Sequence, residues 1–115
     1  MDANNVVLLR GTVASEPVVR ELPSGASVTH VDLSTQVAGR ATSVPVAVHE
    51  RRVTVECGDA VVVTGHVSRR FFRARGVTQS RTEVIASDVI RVSRRRTVER
   101  SVAAMIDALA SGGGQ

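Results

Sequence analysis

Alternation of period two is the feature that most limits what this chain can fold into. Val7, Leu9, Gly11 and Val13 share one face of the segment NVVLLRGTV, with Arg10 and Thr12 on the other. The same spacing returns at Val44, Val46 and Val48, and again at Val61, Val63, Gly65 and Val67. Successive side chains of a strand point to opposite faces, so these runs read as half-buried strands. Valine is stiff at χ1 and packs well on a pleated surface. The chain therefore leans to all-β, and its 115 residues suffice for one domain with one modest core.

Breakers divide the pattern. Ser15-Glu16-Pro17 interrupts the first strand and residues 18–22 resume an extended run. Leu22-Pro23-Ser24-Gly25 has the residues a type I turn prefers, which predicts a hairpin. In the following strand the apolar positions Val28, Val31 and Leu33 change parity, and a β-bulge near Thr29 and His30 is the expected cause. Residues 36–42 and 73–79 read as loops, and Pro45 marks a strand start or an open edge. Residues 50–57 fit either a strand or a short helical turn. Residues 82–86 and 89–92 complete a sheet of five or six strands, as a sandwich or barrel requires. From Thr97, an N-cap candidate, the period becomes helical through Val98, Val102, Met105, Ile106 and Leu109. That stripe predicts a packing or self-association surface. The division expected is residues 1–93, a basic segment and helix at 94–110, and a flexible glycine-rich tail at 111–115.

Charge is uneven along the chain. Every basic residue is arginine, five against seven acids up to Ala60 and ten against four from Val61 onward. Residues 60–82 hold Arg69, Arg70, Arg73, Arg75 and Arg81 with Phe71 and Phe72, and no acid. Arginines that follow phosphates beside an aromatic face are what a single-stranded nucleic acid needs. Continuing the parity of Val61 turns Phe71 into the core and Phe72 outward, so Phe72 is the expected stacking residue.

Other chemistry finds little support. His30, His49 and His66 lie in separate strand patterns without metal-ligand spacing, and no nucleophile or phosphate-loop motif occurs. No enzymatic activity, cofactor or metal is expected. Cys57 is the single cysteine, which fits a reducing cytoplasm, and no apolar run approaches the length of a membrane span.

The residues resemble a known family. The opening NVVLLRGTVASEPVVRELPSGASVTHVDLST is similar to the first strands of bacterial single-stranded DNA-binding proteins, with G-x-[LV], [DE]-P-x-x-R and S-G-x-x-V in register. GDAVVVTGHVSRRFF matches the family's G-D-x-V-x-V-x-G run, and TEVIASDVIRV its last strand. The likeness spans residues 5–92. It implies an all-β OB-fold, a five-stranded Greek-key barrel, here with a short C-terminal α-helix. It also implies a homo-oligomer, dimer or tetramer, that wraps single-stranded DNA in replication, repair or recombination at the nucleoid. Phe72 falls on a family stacking position of the fourth barrel strand. Two other stacking positions fall near Gly39 and at Val44, neither aromatic, which removes about 2 to 6 kcal/mol at roughly 1 to 3 kcal/mol per stacked base. The family's helix between its third and fourth strands is cut to residues 50–57. Its acidic C-terminal tip is replaced by Arg94, Arg95 and Arg96, a helix and SGGGQ, so recruitment of partners through such a tip is not expected.

Two functions follow. The first is a sequence-tolerant single-strand binder whose Arg10, Arg40, Arg69, Arg70, Arg73, Arg75 and Arg81 contact phosphates or stack, with Phe72 supporting a base. The alternative is an OB-fold accessory module working through the helix and a sheet edge with weak or no DNA binding, as the missing aromatics and altered tail suggest.

Overall fold

The strands and helix run in the order β1 (Val7–Val13), β2 (Val18–Glu21), β3 (Ser27–Val37), β4 (Arg40–His49), β5 (Ala60–Ala74), β6 (Val77–Arg91) and α1 (Arg95–Ala110) in a computed structural model that describes residues 3–49 and 52–111. The sheet order is β1-β5-β6-β4-β3-β2, and β1 also pairs with β3. That second pairing closes β1, β5, β6, β4 and β3 into a five-stranded barrel, leaving β2 as an addition to β3. The OB-fold barrel with its terminal helix is what the sequence leads one to expect.

Closure depends on two narrow seams. β1 meets β3 only at Thr12↔Ser34 and Val13↔Leu33, and β4 meets β6, in parallel, only at Val46↔Val84 and Ala47↔Ile85. Two glycines let backbones approach closely, Gly11 where β1 crosses β3 and Gly65 where β5 meets β6. A Cβ on Gly11 would lie 2.3 Å from the Ser34 carbonyl oxygen, and one on Gly65 2.0 Å from that of Ile85. Pro45 stands where the second edge of β4 is already open, as its missing donor requires.

The interior holds the alternating positions: Val13, Val31, Leu33, Val46, Val48, Val61, Val63 and Val84 form one buried cluster. Val55, from the irregular segment after β4, joins it and closes one end. That segment is tied down by Arg91, whose Nη2 donates to the Thr54 carbonyl at 2.7 Å and whose Nε pairs with Asp59 at 3.3 Å. Neither strand nor helix forms over residues 52–56, and residues 50 and 51 lie outside the described part.

Several local expectations are corrected. No bulge interrupts β3 at Thr29 and His30, because its register with β4 is continuous from Val28↔His49 to Val37↔Arg40. Thr29 is the inward residue there, and Val28 is buried on the opposite, outer face, in a groove it shares with Leu22, Ala47 and Ile85, which explains the apparent change of parity. The bulge lies between β5 and β6, where Thr64 pairs with Asp88 but Gly65 with Ala86, so Ser87 is extra. The presumed loops are two-residue turns. Ala38-Gly39 and Arg75-Gly76 have positive φ at both positions, 51° and 79°, then 53° and 77°, the type I′ geometry that matches strand twist. The hairpin at Leu22 forms as expected, the Gly25 N–H donating to the Leu22 carbonyl at 2.9 Å.

α1 begins at Arg95 after Arg94, without a side-chain cap, so Thr97 is not the N-cap. It rests on the outer face of β5 and β6, where Ser101 Oγ donates to Asp88 Oδ2 at 3.0 Å and lies 3.3 Å from Thr64 Oγ1. Two of the five residues of its apolar stripe, Ile106 and Leu109, are exposed. Ser111 caps the helix, and the tail at 112–115 lies outside the described residues.

Candidate nucleic-acid interface

β5 and β6 outlast the barrel. β5 loses β1 after Val7↔Gly65, and β6 on the tip side of Val84 has no pairing with β4. Asn5 extends the open edge by one step: its Nδ2 donates to the Val67 carbonyl at 2.7 Å and its Oδ1 accepts the Val67 N–H at 2.9 Å. Beyond Val67 the two strands pair only with each other, from Ser68↔Glu83 to Ala74↔Val77. At about 3.3 Å per residue this two-stranded arm projects roughly 20 Å.

The register divides the arm's side chains between two faces. Arg69, Phe71 and Arg73 stand opposite Thr82, Ser80 and Thr78 on the face continuous with the barrel interior. Arg70 and Phe72 stand opposite Arg81 and Gln79 on the outer face. Phe71 is thus no core residue. It keeps the inward parity, but the barrel has ended beneath it and 64% of its surface is exposed, against 38% for Phe72. Each ring is paired with the arginine two residues before it on the same face. The Arg69 guanidinium lies 4.9 Å from the Phe71 centroid, and that of Arg70 5.9 Å from Phe72. Such cation–π contacts contribute about 0.5 to 1 kcal/mol at exposed sites and hold both partners in place.

The arginines differ in how far they are committed. Arg73 Nη2 donates to the Gly76 carbonyl at 2.9 Å, bracing the turn, and Arg69 Nη2 donates to Ser80 Oγ at 3.3 Å. Arg70 Nε lies 3.8 Å from Glu83 Oε2. Arg75 occupies the turn itself, and Arg75 and Arg81 make no hydrogen bond or ion pair with another described residue.

A second, shorter arm stands beside the first. Val46 is level with Val84, so six residues back along each strand Arg40 is level with Thr78. The β3–β4 turn with Arg40 and the β5–β6 arm therefore leave the barrel at the same end. Between them lies a cavity of about 210 Å³ lined by Val44, Val67, Thr82 and Val84. Gly39 is part of the shorter arm's turn, and Val44 packs against the core.

Arg10 is apart from this group. It is exposed on the outer face of β1 and pairs with Val62, eight residues along β5 from Arg70, roughly 26 Å at strand spacing. Of the eight residues singled out from sequence, the structure gathers Arg69, Arg70, Phe72, Arg73, Arg75 and Arg81 on one arm, Arg40 on its neighbour, and Arg10 on another face. All eight are exposed.

The outer face also joins the expected Arg70 to residues for which sequence reasoning assigned no functional role. Arg20 of β2, His30 of β3, His49 of β4 and Arg70 and Glu83 of the arm line one groove. Burial lowers the pKa of His30, Arg20, Arg81 and Arg70 lower it further, and Glu83 opposes them. Only the pairing of five strands brings these residues together, and no local motif marks them.

Comparisons with known proteins agree with this architecture. The model of a family described as "Single-strand binding protein family" matches residues 4–92. No curated protein matches the sequence. The solved structure described as "Plasmodium falciparum SSB complex with ssDNA" superposes with a TM-score of 0.67 at 21% identity, covering 79% of this chain and 96% of that one. At that identity the likeness is one of fold.

Proposed function

The chain belongs to the single-strand binding protein family, and from that premise we propose that it binds single-stranded DNA without sequence specificity and without catalysis, in replication, repair or recombination. The observation that carries this reading is the acid-free stretch of β5 and β6 folding into an exposed arm with an arginine–phenylalanine pair on each face. Arg70, Arg75, Arg81 and Arg40 supply phosphate contacts along the two arms, and Phe72 supports a base. Arg69 and Arg73 serve the inner face, where Phe71 offers a second ring. Arg10 extends the path around the barrel. Residues 1–93 act as the binding domain and 94–110 as a basic segment and helix. The protein works as a homo-oligomer, dimer or tetramer, at the cytoplasmic nucleoid; no helix among the described residues is long and apolar enough to cross a membrane.

Fluorescence anisotropy with a labelled mixed-sequence oligonucleotide at rising salt tests the reading. Affinity falls steeply with salt, because each neutralised phosphate releases counterions. No binding at low salt would end it. The exposed Ile106 and Leu109 favour a second reading, an accessory module acting through protein contacts. Under that reading F72A leaves oligonucleotide affinity untouched. Light scattering at micromolar concentration checks the assembly, and a monomer counts against it.

A further inference from the structure

We infer that the free edge of the β5–β6 arm takes an extended acidic peptide, which adds a strand beside β6 and seats one apolar side chain in the cleft between the two arms. This is a second binding activity, and it does not depend on the proposed binding of DNA.

β6 offers an edge suited to such a strand. On the tip side of Val84 its pairing with β4 has ended, and from Val77 to Glu83 it pairs with β5 alone. Every second residue of that stretch therefore turns its N–H and C=O away from β5, a template for another chain. Free edges are commonly blunted by proline, a bulge or an inward-pointing charge. β4, across the cleft, carries Pro45, and the bulge of β6 lies at Ser87, on the barrel side of the arm. Residues 77–82 contain neither proline nor acid and are all exposed. A polypeptide supplies alternating donors and acceptors at the spacing of a ladder and a polynucleotide does not, so the edge itself selects a peptide.

The cleft fixes what the peptide carries. Its cavity of about 210 Å³ is walled by Val44, Pro45, Val67 and Val84, with Thr82 at the edge of β6. That is below the roughly 300 to 1,000 Å³ of sites that enclose a small molecule, and it suits a single apolar side chain. Glu83 also borders the cleft, but its carboxylate is turned to Arg70 on the outer face. Beyond Glu83 every charge on the two arms is positive, since no acid occurs at residues 33–48 or 60–82. Outward from the barrel, a strand laid along β6 meets the cavity at Thr82, then Arg81, then Ser80 with Phe71 opposite it. Gln79 follows, and last Thr78, with Arg73 opposite and Arg40 level with it on the other arm. The complementary order of side chains is apolar, acidic, apolar, neutral, acidic. A basic peptide is repelled by the same arginines.

The test is anisotropy of a labelled peptide with leucine, aspartate, valine, threonine and aspartate in that order between glycine–serine ends, titrated with the full chain at low salt. Its reversed sequence is measured as well, because an edge pairs with a strand in either direction. One direction binds, and replacing its leucine by alanine weakens it about tenfold, as for an aliphatic side chain that loses its pocket. Methylating the amide nitrogens of one alternate set of peptide residues abolishes binding, and methylating the other set leaves it intact, because a strand on an edge uses one side only. That control does not depend on a variant folding. T82F, which fills the cavity from an exposed position, weakens the peptide by a similar factor and leaves oligonucleotide affinity unchanged. Failure of both peptides to bind, equal binding of a scrambled peptide, equal tolerance of the two methylated sets, or an unaffected T82F overturns the site. Failure of oligonucleotides alone to bind overturns the proposed function and leaves this site standing.

Discussion

One pair of strands carries two opposite chemistries. In the barrel half of β5, Val61, Val62 and Val63 are buried; in the arm half of the same strand, Arg69 to Arg73 are all exposed. The pleat and the β5–β6 ladder run through both halves, with one register shift at Gly65. What changes is the neighbours: β1 and β4 flank the ribbon in the first half and are gone in the second. Stability therefore resides in the half with neighbours, and recognition in the half without them, so substitutions should separate the two.

The largest effect tests the barrel side. Leu33, fully buried where β3 meets β1, is replaced by alanine at a cost of about 2 to 5 kcal/mol, read by urea denaturation. The folded fraction of L33A still binds oligonucleotide with ordinary affinity. A loss of affinity in the folded fraction would break the separation.

Next comes F72A, which weakens oligonucleotide binding by about 1 to 3 kcal/mol in titrations. Its unfolding free energy stays within about 0.5 kcal/mol, as for an exposed site. The arginine pairs then sharpen the comparison within the arm. R70A/R81A on the outer face and R69A/R73A on the inner face each lower the slope of log K against log salt by about 1.4, at roughly 0.7 per lost phosphate contact. Unequal losses identify the face the strand follows.

The smallest effect concerns pH. His30 has its pKa lowered from the ordinary 6.5 by burial and by the surrounding arginines. The folded protein therefore binds fewer protons than the unfolded chain once pH falls below about 6.5, and stability declines on acidification from there; above that pH both states are neutral at this residue and the contribution vanishes. Denaturation of H30Q across the same range shows a shallower decline. An equal decline in H30Q shows that the acid sensitivity arises elsewhere.

Much of the fold was legible because strand alternation is local. The valines of β1, β4 and β5 announced their faces, and the Leu22 turn announced a hairpin. The errors arose where a residue's surroundings came from distant strands. Val28 looked out of phase because it is buried on the outer face, among side chains from neighbouring strands. Phe71 had the parity of a core residue and none of the cover. The arm itself was hidden, since Arg75-Gly76 and Ala38-Gly39 read as loops when arginine and alanine adopt positive φ there.

By itself the sequence determined the period, the acid-free basic stretch and the order of the strands, since each depends on neighbours along the chain. Tertiary structure alone decided where the barrel stops along β5 and β6, and so which alternating residues are core and which are surface. It also decided that Arg20, His30, Glu83 and Arg70 share one groove, because strand pairing across the sheet joins residues that no local spacing relates.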